Sequence, residues 1–573
     1  MAIHIGSDYF RAMSSRVLLS LLCSWLLLWG FAVPDLFGTL PIGREGVATV
    51  PLFNAWTIGW NIQQAEVGFS SYWQAPLFWP DDHAFIYCET QLPSAVGLVL
   101  PHPERAILFY NLYLWLTLAL NGIVAASLLR QLSISQLPCL LAGFLMISLP
   151  YVCWQSGVLQ LTVLWPSLWL LSGLLNYFRI PSLSNACLCA CGLVMIYLTC
   201  HYYGLMMITL IPFLLLAAGL ISTYRTQVFR KALINHVLLA AVIVGIGLGW
   251  LILPQQHWLG AEEFERSTDT IWGLSAKPSH WLTPPEDNLA RLWSGENQSQ
   301  TARHWATGVG WVLMLTSAIG GCIGLVTPHL RKPTIILGTL AVVGWVLSLG
   351  FYAELFGVNI YETLRQSVPG ISRIRSPHRY GVYTQMVAVL LTGFFLQWLS
   401  KFSGLTLERA SWRNWPSYLL LCGVGGIAIF QGWPAPSAVI GTPRYQNHQA
   451  WLAQLEKIAQ EGEPLSCFPY PESKEVEAHY SSVKWMYLSL WHKHPITNGY
   501  AGYFPETFLE SREDFASFPE SAAFDRLKQW KIRTILVNAS RYEKSELSEI
   551  ETHGYKLQYH DKTTNLAIYQ KPE

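Results

Sequence analysis

Between Val17 and Phe430 the sequence returns repeatedly to apolar runs of about seventeen to twenty-four residues that carry almost no charge. A helix rises about 1.5 Å per residue, so such a run crosses a hydrocarbon layer roughly 30 Å thick. Inside that layer only helices and closed barrels satisfy their own backbone groups. The runs therefore predict a mainly α, polytopic membrane protein. There are about eleven of them, at about 17–33, 106–129, 137–153, 159–178, 184–200, 203–223, 233–253, 306–326, 334–351, 378–399 and 417–432.

Their spacing is uneven. After the first run come about seventy residues, 34–105, rich in Trp, Pro and acids, before the second begins. A channel or carrier has little use for that layout. An enzyme acting on a lipid-linked substrate does, because its reactive groups must sit where water meets lipid. The first run ends Phe31-Ala-Val-Pro-Asp35 without a small-x-small cleavage pattern and reads as a retained helix.

Basic residues set the expected orientation. Arg11 and Arg16 precede the first run, and Arg130, Arg179, Arg230, Lys231, Arg331, Lys332, Lys401 and Arg409 fall in alternate short loops that are poor in acids. Such loops stay cytoplasmic. The N-terminus is then inside, and 34–105, 254–305, 352–377 and 433–573 lie outside. Lys and Arg number 37 against 36 Asp and Glu, so no basic footprint for nucleic acid exists. The cysteines lie mostly within the runs, and no Cys/His spacing resembles a metal site.

Past residue 432 the charge density rises and the pattern changes. Trp451, Leu452, Leu455 and Ile458 recur at helical spacing, short strands follow at 465–468 and 534–537, and 555–560 with 565–570 form a hairpin pattern. The expected organisation is a transmembrane region, 1–432, and a small α/β soluble domain outside the membrane, 433–573.

Four outer segments supply candidate chemistry. In the first, Trp56 and Trp60 stand four apart beside Asn61 and would share one face of a helix lying in the membrane interface. The Arg373-Ile-Arg375-Ser376-Pro377-His378-Arg379 segment opens the tenth run. Ser376 suits an N-cap and Pro377 a first helical position. Guanidinium forks and a helix N-terminus suit a phosphate, so Arg373, Arg375, Arg379 and His378 form a candidate phosphate site. Snorkelling to headgroups is the other use of such arginines. His201, with Tyr202 and Tyr203, marks the break between the fifth and sixth runs. In the tail, Asn498-Gly-Tyr500-Ala-Gly502-Tyr503 is aromatic and glycine-rich, as sugar sites and plain structural loops both are.

The first loop, the arginine segment and the Asn498–Tyr503 run, taken in order from about residue 40 to 570, resemble a group of bacterial polytopic proteins similar to the integral-membrane glycosyltransferases of the C-type fold. The resemblance implies transfer of a sugar from a polyprenyl-phosphate donor to a glycan, lipid or protein acceptor at the outer face of the bacterial inner membrane. It implies an early acid as general base or metal contact, so a divalent cation is an expected candidate, and basic groups for the donor phosphate. The sugar hydroxyl is a weak nucleophile and must lose its proton during attack, while the departing phosphate gains charge. Two positions depart from the group's pattern. Val50 stands where relatives carry Asp, and Val158, in Gly157-Val158-Leu-Gln160, stands where they carry His. Asp35, Glu45 and Glu89, the last in Tyr87-Cys88-Glu89, are the acids left to serve. Trp56, Trp60, Asn61, His201, Asn498 and Tyr500, read from the residues themselves, are the candidate substrate contacts. A catalytically silent relative that binds a lipid-linked glycan is the second reading. A transporter is the third, and it has few mid-span polar groups to work with, Asn121 and Gln160.

Overall fold

The computed structural model describes residues 4–43, 47–221, 227–259, 267–282, 307–368, 370–402, 415–433 and 437–572. In chain order the elements are α1 (His4–Trp29), β1 (Thr39–Gly43), α2 (Thr49–Glu66), α3 (Arg105–Gln131), α4 (Gln136–Ile147), α5 (Trp165–Arg179), α6 (Leu183–Thr199), α7 (His201–Ile221) and α8 (Gln227–Leu259). They continue with α9 (Trp311–Val326), α10 (Pro328–Ser348), α11 (Gly381–Phe402), α12 (Trp415–Gly432) and β2 (Ala438–Gly441). All these helices but α2 lie over the apolar runs. Among the described residues seven helical stretches are long and apolar enough to cross a membrane, and four more are apolar but of ten to seventeen residues. The protein is a mainly helical, membrane-embedded chain.

The third run does not continue cleanly into the fourth. α4 stops at Ile147, and a short helical turn, Pro150–Trp154, leads through 3₁₀ turns to Thr162. Pro150 cannot donate to the turn before it. The amide of Tyr151 is met instead by Gln385 Oε1 at 3.2 Å. Asn121 repairs the far end of the break: its Nδ2 donates to Thr162 O at 2.8 Å, and its Oδ1 accepts from the amides of Leu164 (3.0 Å) and Trp165 (2.8 Å). This mid-span amide is thus occupied by backbone.

α2 is the helix predicted to lie in the interface. It is instead packed inside protein, with most of its residues buried. At Gly59 an added Cβ would come within 2.4 Å of a Leu490 methyl carbon, so the glycine sets the approach of the C-terminal part. β1 pairs antiparallel with β2 in the register Thr39↔Gly441, Leu40↔Ile440. The segment after the first helix is thereby tied to the segment after the last.

The C-terminal part contains α13 (Tyr445–Ile458), β3 (Leu465–Phe468), α14 (Tyr480–His492), β4 (Thr534–Asn538), β5 (Lys556–Asp561) and β6 (Leu566–Gln570). The sheet order is β3-β4-β6-β5, with β3 and β4 parallel and the other pairs antiparallel. The predicted strands and hairpin therefore share one sheet. Main-chain bonds join this part to the first outer loop: Phe78 N to Asn498 O (3.1 Å), Trp79 N to Ile496 O (3.0 Å) and Ile496 N to Pro76 O (3.2 Å). Cys88 and Cys467, one on each side, are both free and buried.

Candidate active site

The site is built on a polar face of α2. Asn54 and Asn61 lie two turns apart on this largely apolar helix and so share a side. Both are fully buried. Asn61 Nδ2 reaches Thr90 O (2.5 Å), Gln91 O (3.2 Å) and Ser94 Oγ (3.0 Å). Asn54 Oδ1 accepts from Gln91 Nε2 (2.7 Å), which also reaches Gln160 Oε1 (3.4 Å). The Thr90 hydroxyl donates to Leu198 O (3.2 Å) and meets His201 Nε2 at 3.2 Å. Gln91 is held in the left-handed region, φ +42°, which a side chain with a Cβ adopts only where its surroundings enforce it. Residues 89–91 thus form a strap tied down by α2 and by the α6–α7 junction.

Glu89 heads the strap. Both its carboxyl oxygens are sealed from solvent, and neither completes a hydrogen bond. Burial pushes this carboxyl up to about 8, while the Arg379 guanidinium and the nearby Gln160 amide pull it back down. Glu89 therefore sits within electrostatic reach of the arginine segment. Glu89 and Arg373 also both act on Tyr197.

The arginine segment begins as predicted, with Ser376 at the N-cap and Pro377 in the first turn, but the turn Pro377–Tyr380 is 3₁₀ and the Ser376 side chain caps nothing. The His378 amide donates to Leu274 O at 3.2 Å, and its Nδ1 lies 2.9 Å from the same carbonyl. His378 is a buried structural tie, and its amide is not free for an anion. The guanidinium groups remain. Arg379 lies over the Tyr202 ring, 4.7 Å from its centroid. The Nε atoms of Arg375 and Arg379 are buried without a partner. Arg373 is held through its carbonyl, which accepts from Tyr503 OH at 3.0 Å.

The other sequence candidates separate clearly. Asp35 pairs with Arg444 in a part-exposed ion pair. Glu45 lies outside the described residues. Trp56 and Trp60 do share a face, stacked at 6.4 Å and 9°, but they pack on Phe85 inside protein. Asn61 and His201 hold the strap. Asn498 pairs with both main-chain groups of Cys467, at 3.0 and 2.8 Å. Tyr500 meets Phe53 and His479 edge-on or tilted. Sequence reasoning passed over Asn54 and Gln91. The signal was available, since Asn54 repeats Asn61 at a seven-residue interval on an apolar helix and Gln91 follows Glu89 by two.

The two valine positions belong to touching segments. A Cβ on Gly157 would come within 2.2 Å of Ile42 O, so the turn before Val158 lies against β1, which leads to α2 and Val50. Among the described residues no three His, Cys, Asp or Glu side chains gather as ligands for an ion. Glu89 lies within electrostatic reach of the Arg379 guanidinium. Of the described candidate acids, Asp35 is paired with Arg444 and Glu89 feels the Arg379 charge, so neither stands with a second carboxylate.

No known protein family matches the sequence, and no curated protein does. Solved structures do. The mycobacterial arabinofuranosyltransferase AftD superposes with a TM-score of 0.56 at 14% identity, covering 98% of this chain and 40% of that one. An oligosaccharyltransferase of Archaeoglobus fulgidus superposes with a TM-score of 0.51 at 12% identity, covering 99% of this chain and 74% of that one. The chain has the C-type glycosyltransferase fold. It spans about two fifths of the length of the arabinofuranosyltransferase. Within this C-type fold, the three motifs noted in sequence meet in space: Gly502 N donates to Tyr87 O at 3.2 Å, and Tyr503 OH donates to Arg373 O.

Proposed function

We propose that the protein transfers a sugar from a polyprenyl-phosphate donor to a cell-envelope acceptor at the outer face of the bacterial inner membrane, with eleven crossings and a cytoplasmic N-terminus. The observation that carries this reading is Glu89, a carboxyl sealed from solvent with the Gln160 amide near it and within electrostatic reach of Arg379. Glu89 takes the proton of the attacking acceptor hydroxyl. Arg379, with Arg375 and Arg373, holds the donor phosphate and stabilises the charge it gains as the sugar leaves. The likeness in fold to an arabinofuranosyltransferase and an oligosaccharyltransferase supports this reading.

The test uses purified protein in lipid discs, incubated with polyprenyl-phosphate sugars, alongside glycan profiles of a deletion strain. Transfer that Glu89→Gln abolishes and Asp35→Asn leaves intact supports the reading. No donor binding and an unchanged envelope defeat it. Val50 and Val158 favour a second reading, a relative that binds a lipid-linked glycan without chemistry. It is supported if Arg375→Ala gives a phenotype while alanine at Asp35, Glu45 and Glu89, each singly, gives none.

A further inference from the structure

The strap leaves polar groups over. Gln91 Nε2 spends its donors on Asn54 Oδ1 and Gln160 Oε1. Asn54 Nδ2 and Gln91 Oε1 are buried and meet nothing, and the sealed oxygens of Glu89 have only the Gln160 amide and the Arg379 charge near them. Turning either amide over leaves as many groups unmet. Asn54 and Gln91 are at most 1% exposed and Gln160 is 9% exposed. Buried amides of native proteins nearly always have a partner, and each one left without costs about 1–3 kcal/mol. Asn61, the other buried asparagine of α2, spends its amide on the strap, whereas Asn54 meets the strap only through Oδ1 and keeps its Nδ2 over.

The leftover groups define what fits them. Asn54 Nδ2 requires an acceptor, whereas Gln91 Oε1 and ionised Glu89 require donors. Phosphate oxygens answer only the first, and a metal cation only the second. Hydroxyl groups answer both, because each donates one hydrogen and accepts through its lone pairs. A ring carrying several hydroxyls therefore matches the set. Arg379 and Gln160 both act on Glu89, and Gln160 in turn meets Gln91, so the arginine segment and the carboxamides share this one carboxyl.

We propose that Asn54, Gln91 and Gln160 form a carboxamide shelf that binds the hydroxyl groups of a sugar ring beside Glu89. The proposal rests on the transfer reading above and adds the part of the site that recognises the sugar. The ring can belong to the lipid-linked donor or to an acceptor glycan, and the experiment separates the two.

The full chain in lipid discs is titrated with bare polyprenyl phosphate, with polyprenyl phosphate carrying one hexose or pentose, and with a soluble oligosaccharide of the same sugar. Wild type is expected to bind the glycosylated lipid about tenfold more tightly than the bare one, the increment of a net hydrogen bond or two. Asn54→Leu with Gln91→Met should erase that increment, leave the affinity for bare lipid unchanged, and leave the melting temperature of the free protein equal or higher. If the double variant does not accumulate, Asn54→Leu alone is read by the lipid increment only, since it takes the acceptor from Gln91 Nε2 and so lowers the melting temperature. An increment seen with the lipid places the donor sugar on the shelf, and oligosaccharide binding lost in the variant places the acceptor there. Equal binding of both lipids by wild type, with no oligosaccharide bound, overturns the shelf alone, as does an increment that survives the double substitution. Failure of wild type to bind even bare polyprenyl phosphate overturns the transfer reading and the shelf with it.

Discussion

At the scale of single residues, the chemistry turns on the proton of Glu89. Its carboxyl is pushed from 4.5 up to about 8, chiefly by burial. The folded protein therefore keeps a proton that the unfolded chain loses above pH 4.5. Stability contributed by this group falls as pH rises from about 4.5 to about 8, by an amount on the order of 3 kcal/mol at pH 7. Glu89→Gln, which stays neutral, should remove that slope. The melting temperature of the variant should exceed that of wild type by a margin that grows across this window, and a constant margin would refute the assignment. Transfer shows the opposite trend, since only the ionised form accepts a proton, so the rate should climb with pH towards about 8. Glu89 was legible in sequence as an acid near the right place. Its isolation was not, because burial and the missing partners come from residues far along the chain. Asp35 looked equivalent in sequence, and only the fold brings Arg444 to it.

At the scale of elements, the apolar runs were readable because length and lack of charge are local properties. The setting of α2 was not. Its Trp56 and Trp60 suggested headgroup contact, but whether an aromatic face meets lipid or protein depends on what covers it, here Phe85 and the Tyr72 carbonyl from further along the loop. The break after α4 escaped for a related reason: Pro150 announces a turn, but the repair by Asn121 and Gln385 is a tertiary fact. A close backbone contact gives the test at this scale. At Gly157 the nearest atom to an added Cβ is Ile42 O at 2.2 Å, and at Gly43, φ +65°, it is Gly157 N at 2.3 Å. Both neighbours are main chain and cannot swing aside. Gly157→Ala should therefore cost about 1–3 kcal/mol and loosen β1 from the turn, seen as a lower melting temperature and faster hydrogen exchange over 39–43. Gly423→Ala is the control, since a Cβ there meets nothing within 4 Å and the residue lies in a helix.

At the scale of the whole molecule, the question is whether the C-terminal part is a separate module or a wall of the site. The loop 496–503 touches both sides of the site. It bonds main chain to main chain with Pro76, Phe78 and Trp79, reaches Tyr87 two residues before Glu89, and holds Arg373 through Tyr503. Loosening it should therefore misplace the acid and the arginines together. Gly499 is the lever, since an added Cβ would come within 2.1 Å of the Phe78 ring, a side chain buried on all sides. Gly499→Ala should lift the loop, lower the affinity for bare polyprenyl phosphate by about tenfold or more, and speed hydrogen exchange across 76–91. Tyr503→Phe removes one hydroxyl and should lower the same affinity about fivefold while leaving the fold intact, as expected for one net hydrogen bond. A separate module predicts otherwise: both variants would then bind the lipid phosphate like wild type, and exchange would change only within 465–570. The two outcomes differ at residues remote from the substitutions, so melting temperature alone does not decide between them, and the lipid titration does.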